Sequence, residues 1–177
     1  MNTNKIIKVF NDKANEWLDD LSSISEEKLN IRPAENSWSM AEVYDHVMRV
    51  SRRYQIPNLE SSMTAGATRK KKKNFTGIAV FNLGVRKNVK MRMEEWPKKI
   101  VEDFTPTQRS KADLLDDFRI FIEEVNALKV TLDKSSNQHK QYHPFFGDIT
   151  TKEWFALIEL HLWQHDKQKE KITQMIG

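Results

Sequence analysis

The sequence predicts an all-α protein, a four-helix bundle, on three observations. Apolar residues recur at three- and four-residue intervals over four long stretches, which is the spacing of one buried stripe on an α-helix. Almost nothing alternates with a period of two, as a half-buried strand would. Helix breakers are sparse, with five glycines and five prolines in 177 residues. Four amphipathic helices bury their stripes against one another and can hold metal and ligand sites between them. A chain of 177 residues suits one domain, 1–177, with a core that needs no disulfide.

The first helix is expected over residues 4–21, with Ile6 or Ile7, Phe10, Ala14, Trp17 and Leu21 on its stripe. A polar connection follows, with a short helical turn near Glu26 and Leu29, and Pro33 closes it. Ser39 and Glu42 form the S-x-x-E pattern of a capping box, in which each side chain satisfies an orphan backbone N–H, so the second helix opens at Ser39. Its stripe is Val43, His46, Val47, Val50 and Tyr54, and Pro57 is expected to kink or end it. Residues 60–73 read as a loop. Residues 74–96 stay open: Phe75, Ile78, Val80, Phe81, Val85, Val89 and Met93 suit an irregular helix, but Gly77 and Gly84 weaken it. Residues 97–106 read as an extended connection.

The third long helix begins near Ser110, with Leu114, Phe118, Phe121 or Ile122, Val125, Leu128 and Leu132 inward. His143-Pro144-Phe145-Phe146-Gly147 reads as a compact loop. Thr150 and Glu153 form a second capping box, and the last helix runs to about Met175. Its stripe is Trp154, Leu157 or Ile158, His161, Leu162, His165, Gln168, Ile172 and Met175.

Composition narrows the chemistry. There is no cysteine, which excludes disulfides, thiolate ligands and a cysteine nucleophile, and agrees with a cytoplasmic setting. No apolar run approaches the roughly 18 residues of a membrane span, and residues 1–12 do not resemble a signal peptide. The net charge is +4, and much of the basic character is the run Arg69, Lys70, Lys71, Lys72 and Lys73. Without interleaved aromatics that run reads as a solvated loop, and no nucleic-acid partner is expected.

The chemistry-bearing residues are His46, His161 and His165. His161 and His165, four residues apart in H-L-W-Q-H, project from one helix face one turn apart and can share one ion. Both lie on the apolar stripe, and His46 lies on the inward stripe of another helix. A single inward histidine is expected to be a core residue bonded to a side chain or water. Three such imidazoles carry buried nitrogens that all need partners, and a divalent metal satisfies one on each ring. Three neutral nitrogen ligands leave an open position, as catalytic sites do, and suit zinc or nickel. His139 and His143 sit in loop sequence and read as surface or packing residues, with His143 a secondary candidate for the pocket mouth. Trp38 and Trp154 read as packing. Glu42 is explained by its capping role, and Asp45 and Asp166 face away from the histidine stripes.

The segment NSWSMAEVYDH at 36–46 resembles the W-S-x-x-E-x-x-x-H entry to the second helix of the DinB-like superfamily. HPFFGDIT at 143–150, followed by Glu153-Trp154 and the pair His161 and His165, resembles that superfamily's ending. The likeness spans nearly the whole chain in helix order. It implies a DinB-like bundle in up-down-down-up arrangement, with a metal held by His46, His161 and His165. Members include thiol S-transferases, mycothiol-dependent isomerases and proteins induced by DNA damage, and dimers are frequent, so a homodimer is an expected assembly. The region 60–96 matches nothing in that pattern, so a relative's substrate does not transfer. The expected function is a metal-dependent hydrolase or S-transferase acting on a small molecule, with water or a low-molecular-weight thiol activated. The alternative is a non-catalytic bundle that binds a small ligand or serves a stress response.

Overall fold

The computed structural model describes residues 2–64, 72–85 and 98–177. Helix α1 spans Thr3–Ser23, capped by Asn2, whose side chain accepts from the Lys5 N–H. A single turn, α2 (Glu26–Leu29), follows. Helix α3 (Met40–Val50) opens on the predicted capping box: Ser39 accepts from the Glu42 N–H, and the Glu42 carboxylate accepts from the Ser39 N–H. It continues through a π-helical turn, Ser51–Gln55, into α4 (Ile56–Ser61).

Pro57, expected to kink or end this helix, does not end it. The Ile56 N–H bonds to the Ser51 carbonyl five residues back, so the bonding frame has widened before the ring that lacks an N–H. The wide turn holds buried polar groups: Ser51 Oγ donates to Gln55 Oε1 at 2.8 Å, and Gln55 Nε2 donates to the Leu157 carbonyl at 3.2 Å.

The long third helix is α7 (Lys111–Ala127), capped by Ser110 and extended by α8 (Lys129–Lys134). Helix α9 (Thr151–Ile176) opens on the second capping box, Thr150 with Glu153. Cross-links fix the directions. Lys13 meets Asp166 and Asp20 meets Lys169, so α1 and α9 run parallel. Gln55 reaches Leu157 and Ser62 reaches Thr151, so α3–α4 runs against α9. Asn11 pairs reciprocally with Asn126, and Lys111 reaches back to Ile24, so α7 runs against α1. The bundle is therefore up-down-down-up, as expected.

The predicted stripes meet in one core. Phe10, Ala14, Trp17 and Leu21 of α1, Val43 and Val47 of α3, Leu114, Phe118, Phe121 and Val125 of α7, and Leu157, Ile158 and Leu162 of α9 are all buried. Edge-to-face rings tie its centre: Tyr44 lies 5.0 Å from Trp17 and 5.4 Å from Phe118, ring centre to ring centre. The Tyr44 hydroxyl donates to the Trp17 carbonyl at 2.6 Å. Met175, placed on the last stripe, is exposed, while the next residue, Ile176, packs against the core.

The connections hold the other differences. The loop expected over 60–73 begins later, since α4 runs through Ser61; residues 65–71, with Arg69, Lys70 and Lys71, lie outside the described residues. Of the last two residues of the basic run, Lys72 is exposed as expected, and Lys73 is half-buried. The Asp148 N–H donates to the Lys72 carbonyl at 3.4 Å, and Lys73 pairs with Glu153 through Nζ. A helix does form after Asn74, as α5 (Phe75–Phe81), while Val89 and Met93 lie outside the described residues. Within the segment expected to be extended stands α6 (Lys98–Phe104), whose last side chain is buried. The one hairpin among the described residues was not foreseen: β1 (Lys140–His143) pairs antiparallel with β2 (Gly147–Thr150). Its strands are too short to show alternation, and Gly147 turns the chain at φ +74°.

Candidate metal centre

His46 points from the middle of α3 toward α9, where His161 and His165 stand one turn apart. Ring centres lie 5.2 Å apart for His46 and His161, 5.1 Å for His46 and His165, and 4.8 Å for His161 and His165. One nitrogen from each ring falls within 4.8 Å of the others. Three imidazoles bound at about 2.1 Å around a tetrahedral ion would hold their ring centres about 5 Å apart. The spacing fits that geometry.

The hydrogen bonds decide which nitrogens face the gap. His46 Nδ1 lies 2.9 Å from the Phe104 carbonyl, which can only accept, so Nδ1 carries the proton and Nε2 presents a lone pair. His165 Nδ1 lies 2.8 Å from Gln168 Oε1 and is assigned the same tautomer on the same reasoning. His161 Nε2 lies 3.1 Å from His165 Nε2, and its buried Nδ1 has no partner among the described residues. Either tautomer of His161 leaves a fault in the protein alone. A proton on Nδ1 sets two lone pairs against each other; a proton on Nε2 leaves the buried Nδ1 as an unsatisfied acceptor. A cation in the gap would accept all three Nε2 lone pairs and remove the repulsion.

Electrostatics keep the rings neutral. His46 is pushed down to about 4, chiefly by burial and then by His165 beside it. His161 is held well below the ordinary histidine value by burial, with His165 and His46 adding to it. Burial also lowers His165, against the raising effects of Gln168 and Asp166. A neutral imidazole is the form that ligates a metal.

The surroundings separate site from scaffold. Trp38, read from the sequence as packing, lines the site: its ring centre is 4.6 Å from that of His46 and 6.4 Å from that of His165, stacked on the latter. The Phe104 carbonyl was beyond sequence reasoning, since a backbone acceptor leaves no trace in residue type. Gln168 was visible only as a stripe position. Glu42 pairs with Arg32, and Asp45 with Arg49, Arg109 and the Thr107 N–H, so both carboxylates serve the scaffold. Asp166 takes the Trp17 Nε1–H at 2.8 Å on another face of α9.

His143 is fully buried, not at a pocket mouth: its ring packs against Phe146, Trp154 and Tyr54, and burial pushes it down to about 3. Trp154 is packing, as expected, with its indole N–H on the Gln141 carbonyl. His139 is partly exposed and accepts the Ser136 N–H at 3.1 Å. A cleft of about 810 Å³ opens on a different face of α9, between α1 and the start of α3. Its lysines are committed within it: Lys13 to Glu16 and Asp166, Lys169 to Asp20, and Lys28 to the Gly177 carbonyl.

Among the described residues no helix is long and apolar enough to cross a membrane. The family model described as DinB superfamily matches residues 11–168. The chain is also similar to the Bacillus subtilis (strain 168) protein described as "Uncharacterized protein YuaE", 23% identical over 182 residues that cover 96% of this chain and 98% of the relative.

Proposed function

The chain belongs to the DinB superfamily, and from that premise we propose that it is a metal-dependent enzyme whose divalent cation is held by His46, His161 and His165. The observation that carries this reading is the convergence of three neutral imidazoles, two buried and one half-buried, whose Nε2 atoms face one gap. An all-nitrogen set of this kind suits zinc or nickel.

A divalent ion held there would supply Lewis acidity, making an oxygen or sulfur donor at its open position more acidic. The chain itself supplies position and shielding. The Phe104 carbonyl and Gln168 turn two imidazoles toward the gap, and three protein donors leave a fourth place for a reactant. Trp38 walls one side and offers an apolar face to the non-reacting part of a small substrate. With no cysteine in the chain, a thiol reactant arrives as a low-molecular-weight cosubstrate, giving S-transfer. Water in the same place gives hydrolysis.

The test is elemental analysis of tag-free wild type and of His161→Ala. About one equivalent of zinc or nickel in wild type, largely lost in the variant, is the expected result. Thiols with electrophiles, and hydrolysable esters, are then screened on the loaded protein. If wild type takes up neither metal on incubation, the reading is overturned and the histidines belong to a ligand-binding bundle.

A further inference from the structure

We propose that Gln168 is a positioning residue for the metal: its amide oxygen accepts the His165 Nδ1–H at 2.8 Å and so aims the Nε2 lone pair into the gap. The proposal rests on the metal-site reading above. Gln168 lies three residues beyond His165 on α9, the spacing at which two side chains meet on one helix face.

A glutamine at a partly exposed helical position ordinarily solvates its amide. Here the oxygen is committed to an imidazole that carries only one proton in its neutral form. That proton can sit on Nδ1, where Gln168 accepts it, or on Nε2, where it would block the ligating atom. Gln168 therefore chooses the tautomer as well as the angle of the ring. An acceptor behind a ligating histidine also raises its basicity toward the metal.

The three histidines differ in this respect. His46 is aimed by a backbone carbonyl of α6, which substitution cannot remove. His161 has no acceptor at Nδ1 among the described residues. Gln168 is thus the side chain through which the orientation of one ligand can be removed while all three ligands stay in place.

The experiment is zinc affinity by competition with a chromophoric chelator, on wild type, Gln168→Leu, Gln168→Met and Gln168→Glu. It is paired with long-range proton–nitrogen NMR, which reads the His165 tautomer in the metal-free and zinc-loaded protein. Removing the acceptor, in Leu or Met, is expected to weaken zinc about 10- to 100-fold. The same variants should shift metal-free His165 from the Nδ1–H form toward Nε2–H. Gln168→Glu keeps an acceptor and should restore both affinity and tautomer, which a purely packing role would not do. Two hydrophobic replacements of different shape, compared by urea midpoint, separate this effect from misfolding. If wild type binds no zinc, the metal-site reading falls. If wild type binds and the Leu and Met variants bind equally well with an unchanged tautomer, only the role of Gln168 falls.

Discussion

Trp38 precedes the N-cap Ser39, and its place follows from that junction. The capping box fixes the angle at which the chain enters α3, and the indole swings across the first turns of the helix onto His46. In the sequence Trp38 looks like any tryptophan before a helix, and packing was its expected role. What it packs on is one of the three clustered imidazoles, and that depends on α9 bringing His165 alongside. A paramagnetic ion a few ångströms from an indole quenches its emission. Adding cobalt to wild type should therefore dim tryptophan fluorescence, and Trp38→Phe should lose most of that change. Equal quenching in the variant would place the ion elsewhere.

Gly77 shows the same division on the scale of an element. A glycine inside a short helix costs about 1 kcal/mol against alanine, which is why it weakened the expectation of a helix after Asn74. In the structure a Cβ at Gly77 would stand 2.4 Å from the Phe146 carbonyl, so only glycine lets α5 rest on the hairpin turn. Asn74 completes the joint, its N–H donating to that same carbonyl at 3.0 Å. Gly77→Ala should lower the urea midpoint despite alanine's better helix propensity, because the atom it meets is buried backbone. A raised midpoint would mean that α5 does not dock there. The π-helical turn before Pro57 is a comparable case. Residue by residue Pro57 forecasts a kink or an end, and the buried Ser51–Gln55–Leu157 hydrogen bonds make a continuing, widened helix the satisfied alternative to an end.

For the molecule as a whole, the buried histidines tie stability to pH. His46 and His143 titrate near 4 and 3 in the folded protein, and His161 and His165 are also lowered. In the unfolded chain each returns to about 6.5. Below that value the unfolded state binds more protons, so stability is fully present above pH 6.5 and falls as pH drops toward the folded values. Each fully buried histidine contributes about 1.4 kcal/mol per pH unit over that window. Urea unfolding of the metal-free protein should show a steep decline from pH 6.5 to 5, ahead of most carboxylate titration. In His143→Phe the slope should drop by about one proton, whatever the stability at pH 7. An unchanged slope would mean that His143 protonates within the fold.

Periodicity and capping are local properties, so the four long helices, the boxes at Ser39 and Thr150, and the inward stripe positions of His46, His161 and His165 were legible in the sequence alone. The stripe decides which side chains leave water, and that requires no knowledge of what they meet. The tertiary structure decided how the stripes meet: three Nε2 atoms at one gap, Trp38 on the imidazoles, the Phe104 carbonyl behind His46, and His143 in the core. These contacts join residues far apart in the chain through backbone atoms and packing geometry. Neither is written in residue type, so they exist only once the helices have docked.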